Sequence, residues 1–501
     1  MDFPIRLTES QAGPLHVQLY NEYRTAILTG RLAPGQRVPS TRHLATQLAL
    51  SRTTVTRTYD DLIAEGYLES SRGSGTFVCR ELPDEKTNAD KRHAGAPPQA
   101  APVPRLSSYA ARLAESIEPA TPPLPSRVID FYSWRPGFDA LPMELWARLL
   151  ARHARTAKVP ALDYDPGWLG CESLRVAIAS YLGRSRAVQC TPDQILITAG
   201  SQQAFTLIVR ILINAGEAAA MEEPGYFRIR QVLMTEGARI LPVPVDDSGV
   251  RVDLLDALPA KLKLIYVTPS HQYPTGAVLP LNRRLELVSW ARENEVFIIE
   301  DDYDSEYRYA GRPFPSLQGL DQHGTVIYTG TFSKVLFPAL RIGYVVAPPA
   351  LVPALMRAKR MADRQGPTVE HTALAEFVSE GHLERHLRRT RVLYDERRRT
   401  LVEALSREFG CNVDIRGENA GIHILAHFNL PYSDDEILER AAAAGVTIAS
   451  ARASYFSTSS KGKFMIGYAG LTPPLIEEGV RRLASALRVS SAEPKARSAD
   501  V

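Results

Sequence analysis

In the stretch IYTGTFSKVLFPALRIGYVV, Lys334 stands between a small polar run and an apolar loop, with Arg341 seven residues further on. A lysine in a desolvated site has a lowered pKa and can attack a carbonyl carbon, so covalent carbonyl chemistry would sit here, with Arg341 as an anion anchor. By itself TFSK is a weak signal, because most lysines are ordinary surface residues. The stretch FIIEDDYDSEY changes that balance by placing Asp301 and Tyr303 at the end of a strand-like run, where α/β folds present ligand-binding groups. A carboxylate there can hold a pyridine nitrogen protonated, and a tyrosine can hydrogen-bond the phenolic oxygen of the same ring. The other reading of Asp301, Asp302 and Asp304 is a metal-binding cluster. The run holds no histidine to complete one, so no metal is expected.

Further groups fit the same chemistry. LITAGSQQAF sets Gly200, Ser201 and Gln202 between a strand and a helix, either as a cradle of backbone N–H groups for a phosphate or as a mere tight turn. EEPGYFRIR offers Tyr226 to stack on a ring face and Arg228 to meet an anion. Thr331 and Ser333 flank Lys334 and would complete phosphate binding with Arg341, and VTPSHQYPTG brings Tyr273 just before a Pro-Thr-Gly turn.

These groups need a scaffold, and residues 127–488 have the pattern of one. QILITAG, LKLIYVTP, VFIIEDD, TVIYTG and RIGYVVAP are short, apolar and β-branched, with amphipathic segments between them, the signature of a mostly parallel sheet with helices on both faces. From about residue 390 a helix with short strands (GIHILAHF, KFMIGYAG) suggests a small C-terminal α+β subdomain. Residues 489–501 read as a disordered tail.

The N-terminal part is a different object. Across residues 12–80 a helical pattern ends at Gly30, Ser40 and Ser51 stand as N-caps of two short helices, and YLESS and GTFV flank a glycine-rich hairpin tip. Over residues 14–58 six arginines face one acid, Glu22, so that six minus one gives +5, while Asp60, Asp61, Glu65 and Glu69 follow directly. A basic face with its acids kept at the far end is an electrostatic footprint for DNA, against the bland reading of a solvated basic face. Tyr59 and Leu62 are expected in the core of this unit. Residues 81–126, rich in Pro and Ala, read as a linker with one short helix over SSYAARLAES. At ~3.3 Å per residue its reach could exceed a domain's width.

Composition sets outer limits. The chain has 501 residues, 45% hydrophobic and 23% charged, and is too long for one ordinary core. The balance of 59 basic and 56 acidic residues is too even to name a partner. Four scattered cysteines without a CxxC pair suggest neither a disulfide framework nor a zinc site. The start MDFPIRLTES lacks a signal-peptide core, and no run is long enough to span a bilayer, so a cytoplasmic protein is expected.

PGQRVPSTRHLATQLALSRTTVTRTYDDLIAEGYLESSRGSGTFV closely resembles the GntR-type winged helix-turn-helix. That resemblance implies DNA contacts by Arg42, Arg52, Thr53, Thr54 and Thr56 at two helix N-termini, and by Arg72 and Gly73 at the wing tip. Residues 127–488 resemble the fold-type I aminotransferases that bind pyridoxal 5′-phosphate (PLP), and the 33-residue separation of Asp301 and Lys334 suits that fold. Head, linker and body together resemble the MocR subgroup of GntR regulators, carried by PSHQYPTG, EDDYDSEYRY and SEGHLERHLRRTRVLYDERR. The resemblance implies a homodimer that binds operator DNA and senses PLP, or a small amine or amino acid, through an internal aldimine at Lys334. A working aminotransferase with a DNA-binding head, and a dimerisation body that no longer binds cofactor, remain alternatives. Two departures weigh against turnover of ordinary α-amino acids. Tyr273 stands where aminotransferases of this fold have Asn, which leaves the phenolic oxygen to Tyr303. Met465 stands where they carry a carboxylate-binding arginine, a role that would fall to Arg228 or Arg452 as effector-binding residues.

Overall fold

The computed structural model describes residues 13–71, 73–82, 105–115, 128–131, 135–164, 167–311, 314–456 and 460–487. The chain divides into two compact units, Met1–Arg105 and Leu106–Val501. Among the described residues no helix is long and apolar enough to cross a membrane.

The first unit has α1 (Leu15–Leu28), α2 (Thr41–Gln47), α3 (Arg52–Ala64) and an antiparallel hairpin of β1 (Leu68–Ser71) and β2 (Gly75–Val78). Both short helices start where a serine hydroxyl takes up an orphan N–H. Ser40 Oγ accepts from His43 N at 3.2 Å, and Ser51 Oγ accepts from Thr54 N at 3.1 Å. The apolar faces meet in a core with Leu19, Val55 and Leu62 fully buried and Tyr23 and Tyr59 nearly so. Tyr59 donates its hydroxyl to Pro39 O at 2.9 Å, so Tyr59 and Leu62 do structural work, as their spacing suggests.

The second unit opens with α4 (Ser108–Glu115), which falls within the stretch read as linker. Then follow β3 (Ile129–Asp130), α5 (Met143–Thr156), α6 (Val159–Leu162), α7 (Glu172–Arg186), β4 (Ile195–Thr198), α8 (Ser201–Leu212), β5 (Ala218–Glu223) and α9 (Phe227–Glu236). Next come β6 (Arg239–Asp246), β7 (Gly249–Val250), β8 (Leu262–Val267), β9 (Phe297–Asp302), β10 (Val326–Thr331) and β11 (Gly343–Val346). One sheet runs β4-β11-β10-β9-β8-β5-β6-β7. Its central neighbours are parallel, while β11 runs antiparallel to β10 and β4. Within it β4, β10 and β11 are buried throughout, as strands covered on both faces are. α4 is docked on this unit: Arg112 Nε donates to Thr235 O on α9 at 2.9 Å, and the Arg210 guanidinium lies over the Tyr109 ring.

A long helix, His382–Phe409, leads into β12 (Val413–Arg416), β13 (His423–Phe428), β14 (Val446–Thr447), β15 (Ala449–Ser450) and β16 (Lys463–Gly467). β12-β13-β16-β15 form a small antiparallel sheet, and β14 returns to pair with β3. The tail from residue 489 lies outside the described residues, as do residues 83–104 and 116–126 of the linker.

Candidate functional site

The parallel pairing of β8, β9 and β10 brings their C-terminal ends to one place, and the site begins there. Asp301 ends up buried between its neighbours' side chains. Tyr266 of β8 donates to its Oδ2 at 2.6 Å, and Thr329 of β10 to its Oδ1 at 3.3 Å. Burial pushes the Asp301 carboxyl up to about 7, while the Tyr266 and Thr329 hydroxyls pull against it. A carboxylate this costly to leave charged is stabilised by a cation arriving beside it.

Asp301 shares a cavity of about 450 Å³ with Lys334, Tyr303, Tyr226 and Tyr273. Partial burial lowers the Lys334 ammonium to about 8; Asp304 and Asp301 work against that fall and Arg228 with it. Lys334 therefore has a substantial neutral fraction near neutrality, which a carbonyl-attacking amine requires. Tyr273 and Tyr226 meet edge to face with ring centroids 5.2 Å apart. Tyr273 is set by a buried network: its N–H donates to Thr268 Oγ1 at 3.0 Å, and Thr268 Oγ1 donates to Glu222 at 2.6 Å.

At the other end the cavity is built for an anion. Ser201 opens α8, whose N-terminus has no side-chain cap, and Gln202, Thr331, Ser333 and Arg341 complete the wall. Gly200 does not line the cavity itself but has to be glycine. Its φ is +83°, and a Cβ there would stand 2.6 Å from Arg341 Nη2. Arg341 is anchored by donating to Ala199 O at 2.8 Å, and Thr331 Oγ1 accepts from Ser333 N at 3.2 Å. The Ser333 hydroxyl is buried and finds no hydrogen-bond partner among the described residues. An uncapped helix N-terminus, a guanidinium and a spare buried hydroxyl fit a phosphate group, and so fit PLP.

The three aspartates of EDDYD do not converge on a point. Asp301 belongs to Tyr266 and Thr329, Asp302 is ion-paired to Arg186 Nε at 2.7 Å, and Asp304 is hydrogen-bonded to His271 Nδ1 at 3.0 Å. Arg228 lines the cavity, but Arg452 does not. Arg452 stands exposed on a turn after β15 in an ion pair with Asp435. Met465 sits in an apolar cluster with Tyr273, Leu425, Ala449 and Ala451, so the small subdomain presents no cation there among the described residues. Arg135, Tyr266 and Thr329 take part without having been singled out from sequence. Tyr266 and Thr329 read only as strand residues, because their role exists only across paired strands.

In the first unit Arg42, Arg52 and Thr53 are exposed at the starts of α2 and α3, and Thr54 and Thr56 are partly buried. Thr54 Oγ1 lies 2.7 Å from Ser51 Oγ, so that hydroxyl already serves the cap. Gly73 has φ +79° at the hairpin turn, with open space where a Cβ would stand. Arg72 lies outside the described residues.

Known proteins divide in the same way. Residues 131–483 match the family described as aminotransferase class I and II, and residues 15–78 match the bacterial regulatory proteins of the gntR family. The probable rhizopine catabolism regulatory protein MocR of Rhizobium meliloti is 39% identical over 475 residues, 94% of each chain. The pyridoxine biosynthesis transcriptional regulator PdxR of Corynebacterium glutamicum is 32% identical over 93% of this chain and 94% of its own. Among solved structures, the α-aminoadipate aminotransferase LysN of Thermus thermophilus, complexed with N-(5′-phosphopyridoxyl)-L-leucine, superposes with TM-score 0.69 at 29% identity. That match covers 76% of this chain and 97% of LysN.

Proposed function

The chain belongs to the aminotransferase class I and II family and, through its head, to the gntR family of bacterial regulators, the combination found in MocR-type proteins; on that premise we propose that it reports the state of Lys334 to DNA. It is a transcription regulator that binds DNA through the winged helix, and PLP is the cofactor of its body. The observation that carries the sensor reading is a desolvated lysine, a buried carboxylate and an anion-binding wall around one cavity, in a chain that also carries a DNA-binding head.

Bound there, PLP supplies an aldehyde carbon and an electron-withdrawing ring. Lys334 brings the amine to that carbon, and burial keeps much of it neutral. Asp301 would hold the proton on the ring nitrogen, with Tyr266 and Thr329 fixing its direction. Ser201, Gln202, Thr331, Ser333 and Arg341 would hold the phosphate against the start of α8, while Tyr226 would cover a ring face. Arg228 would meet an anionic group of an incoming amine. In the head, Arg42, Arg52, Thr53 and Thr56 would reach phosphates and base edges, with Gly73 letting the wing approach closely.

A homodimer is part of this reading, because a helix-turn-helix reads a half-site and two-fold proteins read two. The domains are read as 12–80 for the head, 81–126 for a linker whose helix α4 packs on the body, and 127–488 for the body. A regulator changes its operator affinity on PLP addition without sustained exchange of amino groups between a donor amino acid and a keto acid. Steady turnover, with operator binding indifferent to PLP, would identify an aminotransferase instead.

A further inference from the structure

Behind Tyr303 lies a group of polar side chains that the reading above leaves without a role. His271 and Asp304 are 2% and 1% exposed, and His271 Nδ1 stands 3.0 and 3.1 Å from the two carboxylate oxygens of Asp304. The Tyr303 hydroxyl is 3.1 Å from the same Nδ1 and 2.9 Å from the His271 carbonyl oxygen. An ionised carboxylate only accepts, so the proton between them belongs to Nδ1. With Nδ1 already donating to Asp304, it cannot accept from Tyr303. The Tyr303 hydroxyl therefore donates to the His271 carbonyl and keeps its lone pairs for the cavity.

The backbone enforces this arrangement. A Cβ at Gly421 would come within 2.1 Å of His271 Cε1 and 2.6 Å of Asp304 Oδ2. At Gly276, on another loop, a Cβ would come within 3.0 Å of His271 Nε2. Two glycines thus clamp the imidazole, and the His423 ring closes the back with a centroid distance of 5.2 Å. This is more construction than a packed histidine needs.

Resting on the reading of the cavity as a sensor, we propose that His271 and Asp304 form a buried positioning pair: His271 secures the Asp304 charge that acts on Lys334 and keeps the Tyr303 hydroxyl proton turned away from the cavity. The other groups around Lys334 do not duplicate it. Asp301 is the second anion and is given over to Tyr266 and Thr329, whereas Arg228 is a cation that opposes both. Arg135 and Arg341 are further cations on the cavity wall. Burial holds His423 neutral, and it raises the Tyr226, Tyr266 and Tyr303 hydroxyls, which carry no charge near neutrality. Asp304 needs its donor, because charge on a buried carboxylate is costly without hydrogen bonds.

The test follows Lys334 in the full-length protein without added PLP, by mass-spectrometric measurement of its acylation rate from pH 6 to 10. Asp304→Asn keeps an acceptor for Nδ1–H but removes the charge, and should lower the Lys334 midpoint by about one pH unit. His271→Leu removes the donor and should lower it by a similar amount; the double variant should go no further, since both changes delete one charge. His271→Asn puts an amide N–H where Nδ1 stands and should stay near the wild type. Should His271→Leu fail to fold, His271→Gln, which moves the donor to the Nε2 place, takes its part. An unmoved midpoint in Asp304→Asn, equal shifts in the Asn and Leu variants of His271, or additive shifts in the double variant would overturn the proposal. A wild type that captures no PLP would instead refute the sensor reading, and the acylation profiles would still decide the pair.

Discussion

In the head, Arg42 and Arg52 stand in water at helix starts, and the structure's effort goes into the caps and core behind them. In the body, Lys334, Asp301 and Asp304 are withdrawn from water and held by neighbours from other strands and loops. The two regions use charge on different terms. Exposed charges act on a polyanion at a distance and are screened by salt, so the head's grip should answer to ionic strength. Lys334 and Asp301 exchange protons near neutrality, so the body should answer to pH. Regulation requires that the second kind of event be felt by the first.

The widest separation between the regions should appear in the pH dependence of PLP capture. Only a neutral amine attacks a carbonyl, so capture at Lys334 rises as pH climbs through about 8 and levels off above it. At pH 7.5 roughly a quarter of such an amine is neutral, against about one in a thousand for a lysine at its ordinary value. Borohydride reduction followed by peptide mapping should find the adduct at Lys334. A capture rate still climbing steeply beyond pH 9.5 would show that the reactive amine is not desolvated. Operator binding without PLP should be flat over the same range.

Arg52→Ala should do the reverse. A recognition-helix arginine is worth roughly 1–3 kcal/mol of discrimination between bases, or about 5- to 150-fold, and PLP capture should not change. If Arg52 instead neutralises a phosphate, binding weakens on all sequences and the salt slope falls by about one. An unchanged affinity, specificity and salt slope would remove α3 from the major groove. Smallest of all should be Arg452→Ala. It deletes an exposed ion pair with Asp435, so the response to PLP and amines should shift by less than twofold in a ligand titration. A larger loss would place Arg452 in the site after all.

The head was legible because its signals are local. Ser40 and Ser51 cap helices that follow at once, and Tyr59 and Leu62 fall on a face that helical spacing alone marks as buried. In the body the five strands read from apolar β-branched runs are present, but β5 (AAAMEE) lacks any strand signature. Alanine has poor strand propensity, and β5 is held in place by pairing with β6 and β8 and by burial. The same limit governs the site. Lys334, Asp301 and Tyr303 could be named from sequence, because covalent and ring-nitrogen chemistry demands those residue types. Tyr266, Thr329 and His271 could not, since their parts depend on strand register and on loops far apart in sequence. Arg452 shows the same limit from the other side: sequence names the cation but not its exposed ion pair with Asp435.

The central claim is that covalent occupancy of Lys334 shifts the head, and a ligand can do this only through differential affinity for two states. The direct measurement is an operator titration on the wild type and on Lys334→Ala, each with and without PLP and a panel of small amines. The variant should fold, dimerise and bind operator with the affinity of the PLP-free wild type, because its head is a separate unit. In the wild type, PLP or an amine should change operator affinity; in Lys334→Ala that change should vanish. A variant that responds as the wild type does would contradict the account.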